Sequence, residues 1–133
     1  MRNENECELI ELKLADGHQH PLAAAVQLLQ YACLYLHARQ NSARMATALN
    51  TFLMGVLAIR FQVLSFRSFY CGFDLRRLEQ TLHEGLSGAG AQQRLNISFQ
   101  FTHFPEWFSW SGSNIADLQR AVNDRVGLYG PLR

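Results

Sequence analysis

Glu11 and Lys13 stand two residues apart in the segment Glu8 to Leu14, and Gln27 and Tyr31 stand four apart in the segment that follows. Ile10, Leu12 and Leu14 alternate with the first pair. In an extended strand the apolar residues therefore share one face, and Glu11 and Lys13 share the other at nearly one level. A carboxylate beside a cation on a rigid element is part of what metal-assisted phosphodiester hydrolysis requires. Carboxylate oxygens hold a hard divalent ion, and a cation stabilises charge developing on the phosphate or orients the attacking water. The backbone carbonyl of Leu12 lies between the two side chains and offers a further oxygen ligand. On a helix, Gln27 and Tyr31 lie side by side one turn apart.

The surrounding pattern supplies elements to position these groups. Asp16-Gly17 has turn chemistry and ends the strand. Pro21 suits a first helical position, and a helix is expected to about Arg39, with Leu22, Val26, Leu29, Cys33 and Leu36 as its apolar face. Arg39 suits the helix carboxyl end. Ser42 is placed to cap a second helix through about Met54, which Gly55 ends. The later part of Val56 to Phe66 reads as a strand. Asp74 is a candidate N-cap for a helix with a Leu75, Leu78, Leu82 and Leu86 stripe, which Gly85, Gly88 and Gly90 are expected to end in a loop. From Leu95 to His103, Leu95, Ile97, Phe99 and Phe101 alternate with Asn96, Ser98, Gln100 and Thr102, the pattern of a half-buried strand that Pro105 stops. Asn114 with Asp117 forms a capping-box variant ahead of Ile115, Leu118, Val122 and Val126. The tail from Gly127 to Arg133 is expected to fray. Strands alternating with helices predict an α/β fold with a small mixed sheet flanked by helices, in one domain over residues 1–133.

Glu11-Leu12-Lys13 on an apolar strand, followed by a helix with Gln27 and Tyr31, resembles the second half of the PD-(D/E)XK nuclease signature. It is most similar to the recombination-exonuclease branch, which carries a Gln-x-x-x-Tyr helix. The resemblance covers Glu8 to about Tyr35. It implies a restriction-endonuclease-like core, with Glu11 as metal ligand together with the Leu12 carbonyl, and Lys13 as catalytic cation. Gln27 and Tyr31 would flank the active site, Mg²⁺ or Mn²⁺ would be the cofactor and DNA the substrate. The family also places a metal-binding Asp on an earlier strand, and only Met1 to Glu6 precede the first strand here. Glu4 and Glu6 lie too close to Glu11 in sequence to come from a separate paired strand. The expectation is a truncated or degenerate domain that lacks the first helix and first strands of the core. Its activity as an isolated chain would be absent or very weak. The alternative is a non-catalytic module of the same fold that binds protein or nucleic acid.

Composition sets the limits on these readings. A hydrophobic fraction of 48% suffices for a packed core and argues against disorder. A net charge of +1 supplies no whole-molecule field to draw in nucleic acid, so any basic surface must be local. Cys7, Cys33 and Cys71 are widely spaced and read as free thiols, Cys33 as a small hydrophobe within a helix. The polar N-terminus is unlike a signal peptide, and no apolar run reaches membrane-spanning length, so a cytoplasmic protein without membrane contact is expected. His18 and His20 form a His-x-His pair without a third ligand nearby in sequence. They read as surface turn residues, with His20 also a candidate helix cap. Trp107 and Trp110, in the aromatic run Phe104 to Trp110, either stack on bases or belong to a run that covers an open end of the core. Arg60, Arg67, Arg76 and Arg77 read as surface charges or phosphate contacts. Without a hairpin partner, the strand from Glu8 to Leu14 presents an open edge, and a homodimer through this edge or the aromatic segment is expected.

Overall fold

The computed structural model describes residues 5–14, 20–44 and 47–133. The Asp16-Gly17 turn, His18 and Glu4 lie outside them. Strand β1 (Glu6–Lys13) leads to helix α1 (Pro21–Gln40), a 3-10 turn (Ser42–Arg44) and α2 (Thr47–Gly55). Then come β2 (Ala58–Ser65), a 3-10 turn (Arg67–Tyr70), α3 (Arg76–Ala91), β3 (Asn96–His103), α4 (Ile115–Asn123) and the short β4 (Val126–Gly127). The strands form one mixed sheet in the order β1-β2-β3-β4, with β1, β2 and β3 parallel and β4 antiparallel to β3. The α/β fold with a small mixed sheet flanked by helices is thus present.

Strand alternation gives the sheet two different faces. Ile59, Phe61, Val63, Ile97, Phe99 and Phe101 pack with Ala24, Ala25, Leu28 and Ala32 of α1 and Leu86 of α3 in the main core. On the other face Leu64 packs with Phe104, Phe108 and Ala121, flanked by Ile10, Leu12, Leu14 and Leu118. Both faces are covered toward the carboxyl end of the strands. Hence Gln100 and Thr102 are buried as well, and β3 is not half-buried as its alternation suggests.

The face that α1 buries differs from the expected one. Ala24, Ala25, Leu28, Ala32 and Arg39 are buried, while Leu22 and Val26 are 46% and 43% exposed and Cys33 is exposed. The alanines let the helix approach the sheet closely, so the stripe of larger side chains lies on its flank. Arg39 turns inward rather than toward solvent. Its Nη1 donates to the carbonyls of Leu53 and Val56 at 2.5 and 2.8 Å, tying the end of α1 to the end of α2. Ser42 lies in the 3-10 turn, before α2 begins at Thr47.

The two edges of the sheet are treated differently. On the β3 side, Glu79, His83 and Ser87 of α3 are spaced by four and so line one helix face. The Glu79 carboxylate accepts from Phe101 N at 2.9 Å, His83 Nδ1 accepts from Phe99 N at 3.2 Å, and the Ser87 hydroxyl donates to the Ile97 carbonyl at 2.8 Å. Burial lifts the Glu79 carboxyl above its ordinary pKa, against the Phe101 N–H and Arg133. Burial, with Arg133 second, holds His83 below its ordinary value. The chain end completes this edge: Leu128 N donates to the Phe101 carbonyl at 2.9 Å and Arg133 N to the Gln100 side chain at 3.0 Å. The tail expected to fray is therefore tied down. The outer edge of β1, by contrast, pairs with no strand among the described residues.

Candidate functional site

Odd-numbered residues of β1 face the α1 side, because Glu11 is in register with Val63 and Lys13 with Ser65. Helix α1 then returns over this face and carries Gln27 almost two turns from its start. Lys13 Nζ donates to Glu11 Oε1 at 3.0 Å and to Gln27 Oε1 at 3.0 Å. Three of the four residues singled out by the sequence thus meet at one point. The side chains of Lys13 and Glu11 are only 16% and 20% exposed, so water and salt screen the pair less than an ordinary surface pair, yet solvent still reaches both. Tyr31 lies one turn beyond Gln27, 48% exposed, and forms no hydrogen bond among the described residues. It borders the cluster without joining it.

The Leu12 carbonyl is available from the backbone. The Ser65 hydroxyl donates to the Lys13 carbonyl at 2.6 Å, so that carbonyl points toward β2. Successive carbonyls of a strand point in opposite directions, which turns the Leu12 carbonyl to the open outer edge. Glu11 and this carbonyl supply three oxygens at most and one negative charge. Mg²⁺ and Mn²⁺ favour near-octahedral oxygen coordination, which these two groups do not complete. No group of three or more His, Cys, Asp or Glu side chains capable of holding a metal occurs among the described residues. Glu6 and Glu8 cannot make up the shortfall, since even-numbered residues of β1 project from the opposite face.

On that opposite face lies a second polar cluster that no local sequence signal announces. Glu8 Oε1 accepts from Arg125 Nη2 at 2.9 Å and Arg60 Nη1 at 3.3 Å, and Glu6 pairs with Arg60 at 3.2 Å. Arg125 Nε donates to the buried Gln62 at 2.6 Å. A cleft of about 340 Å³ lined by Glu6, Cys7, Glu8, Ile10 and Arg60 opens beside it. Arg125 is 117 residues from Glu8, so only the fold reveals the contact. It also makes Arg60 an ion-pair partner rather than a solvated charge.

The remaining candidates divide. His20 caps α1 by accepting from Leu22 N at 3.0 Å, and its ring meets Phe73 edge-on at 4.2 Å. Phe104 and Phe108 are buried in the second core with Phe66, so these two rings of the aromatic run cover core. Trp107 and Trp110 stay 45% and 52% exposed, with the Arg120 guanidinium 4.5 Å over the Trp107 ring. Arg67 and Arg76 line a cleft of about 510 Å³ beyond β2. No described helix is long and apolar enough to cross a membrane. No family model, curated protein or solved structure significantly matches the chain.

Proposed function

We propose that the chain is a PD-(D/E)XK-like nuclease unit, and that Glu11, the Leu12 carbonyl, Lys13 and Gln27 form half of a centre for hydrolysing DNA phosphodiester bonds. The observation that carries this reading is the convergence of Glu11, Lys13 and Gln27 through the Lys13 ammonium. Gln27 and Glu11 hold that ammonium in place until a phosphate competes for it. Lys13 then stabilises negative charge on a phosphoryl oxygen or orients water, and Tyr31 borders the entry. Glu11 and the Leu12 carbonyl would be the points of attachment for Mg²⁺ or Mn²⁺. With only these two groups the isolated chain binds the ion weakly and cleaves DNA very slowly. A second reading, a non-catalytic module of the same fold that binds protein or nucleic acid, is motivated by the exposed Trp107 and Trp110.

The test is cleavage of single-stranded and duplex DNA with Mg²⁺ or Mn²⁺ by the wild type, Glu11→Ala and Lys13→Ala. The expected result is a trace activity that falls at least about tenfold in both variants, the scale of losing a positioned catalytic group. Equal activity in all three proteins would remove these residues from the mechanism. No activity in any of them would favour the module.

A further inference from the structure

We propose that the cleft beyond the end of β2 binds the phosphate monoester group of a small ligand, with the guanidinium groups of Arg67 and Arg76 on the phosphate and a planar or apolar body against Phe73 and Leu128. None of Glu11, Lys13 and Gln27 lines this cleft, and the proposal stands without the nuclease reading. The three parallel strands end level with one another, at Lys13, Ser65 and His103, and α1 and α3 follow from that end of the sheet. A parallel sheet flanked by helices places its ligands outside the carboxyl ends of its strands. Ten residues, 66–75, connect β2 to α3, where two to six are usual, and that connection forms one wall of the cleft. Leu128 and Tyr129, just past β4, form the other. The volume of about 510 Å³ suits a small molecule.

The charges select the ligand. Among the described residues no carboxylate lines the cleft. Arg67 makes no hydrogen bond or ion pair among the described residues, and neither does the Ser68 hydroxyl beside it. Arg76 meets one carboxylate, Asp74, at 3.9 Å, and both side chains are mostly exposed. Arg60 and Arg125, by contrast, are taken up by Glu6 and Glu8 at 2.9 to 3.3 Å. The Arg76 guanidinium already lies over the Tyr129 ring, 5.2 Å from its centroid, and the Tyr129 hydroxyl accepts from Leu75 N at 2.7 Å. A cation held in this way loses less freedom when it binds. Phe73, 39% exposed, is likewise held by the edge-on His20 ring at 4.2 Å. Two guanidinium groups match the charge of about −1.5 to −2 on a phosphate monoester at neutral pH, and each can donate a pair of parallel hydrogen bonds to its oxygens. A carboxylate ligand would match only one of them.

Titration of isotopically labelled protein with phenyl phosphate, inorganic phosphate and benzyl alcohol at constant ionic strength, followed by its amide resonances, tests the proposal. Phenyl phosphate should move the amides of Ser68, Phe73, Arg76 and Tyr129 saturably. Inorganic phosphate should move the same amides with an affinity at least roughly threefold lower, because it lacks the ring that meets Phe73. Benzyl alcohol, an uncharged counterpart, should move none of them. Arg67→Ala and Arg76→Ala should each weaken phenyl phosphate binding by at least about tenfold, the scale of losing charge-assisted hydrogen bonds from one group. Both side chains are exposed, so either variant should keep the wild-type spectrum away from the cleft. Arg44→Ala, which removes an exposed arginine beyond the far end of α1, should bind as the wild type does. A single-stranded oligonucleotide without a terminal phosphate carries only diesters and should not displace phenyl phosphate. Displacement by that oligonucleotide, equal affinity of wild type and Arg67→Ala for phenyl phosphate, an equal loss in Arg44→Ala, or the same shifts with benzyl alcohol would each overturn the proposal.

Discussion

Arg125→Ala lowers the stability of the fold by about 3 kcal/mol, toward the lower end of what removing one partner of a buried ion pair costs. The Arg125 side chain is 6% exposed and joins three elements: Glu8 of β1, Gln62 of β2 and the Val122 carbonyl near the end of α4. Truncation leaves the buried Gln62 oxygen without its donor and removes the Arg125 guanidinium from Glu8. Arg60 still pairs with Glu8, at 3.3 Å, which keeps the loss from reaching the top of the range. Urea denaturation of the wild type, Arg125→Ala, Glu8→Gln and the double variant measures the effect. The double variant should be less destabilised than the two single losses added together, because both remove one interaction. Strict additivity would show that the pair contributes nothing through its own contact.

Gly90→Ala destabilises by about 1 to 3 kcal/mol, whereas Gly85→Ala and Gly88→Ala each stabilise by about 0.5 to 1 kcal/mol. All three glycines lie in α3, where alanine has the better helix propensity. At Gly85 and Gly88 a Cβ meets nothing within 4 Å. At Gly90 it would sit 2.5 Å from the Leu95 carbonyl and 2.7 Å from Ile97 Cγ1. The Gly90 carbonyl also accepts from Gln93 N and Leu95 N at 2.9 Å each, which fixes the turn from α3 into β3 and leaves little room for the backbone to yield. Thermal denaturation of the three single variants checks the opposite signs; three shifts of one sign would contradict the packing at Gly90.

These glycines also show where the sequence was legible. Three of them within six positions read as the end of a helix, yet α3 runs on to Ala91. Propensity marks Gly85 and Gly88 as weak helix formers, but the Leu78, Leu82 and Leu86 stripe packs on the core and outweighs that preference. Gly90 answers to a contact with β3 that no local pattern encodes. Local chemistry decides some points and not others: the cap position of α3 is Leu75, without a side-chain cap bond, rather than Asp74, and Ser42 lies in a 3-10 turn ahead of α2. The alternation in β1 places Glu11 and Lys13 together opposite Ile10 and Leu12, and the Asn114 and Asp117 capping box starts α4. Helix α1 exists where Pro21 places its start, but its buried face follows Ala24, Ala25, Leu28 and Ala32 rather than the larger side chains, because close approach to the sheet favours small residues. The Glu11, Lys13 and Gln27 cluster was legible because its members sit in one strand–helix unit. The Arg125 cluster was not, because its members come from both ends of the chain.

The central claim is that Glu11, the Leu12 carbonyl, Lys13 and Gln27 act as one half of a metal-assisted site. Titrating Mn²⁺ into isotopically labelled protein and following the broadening of its amide resonances tests that claim most directly, since it does not depend on turnover. The account predicts weak, saturable broadening centred on the amides of Glu11, Leu12, Lys13 and Gln27, lost in Glu11→Gln. Broadening centred on Glu6 and Glu8 at the opposite sheet face, or broadening unchanged in Glu11→Gln, would contradict it.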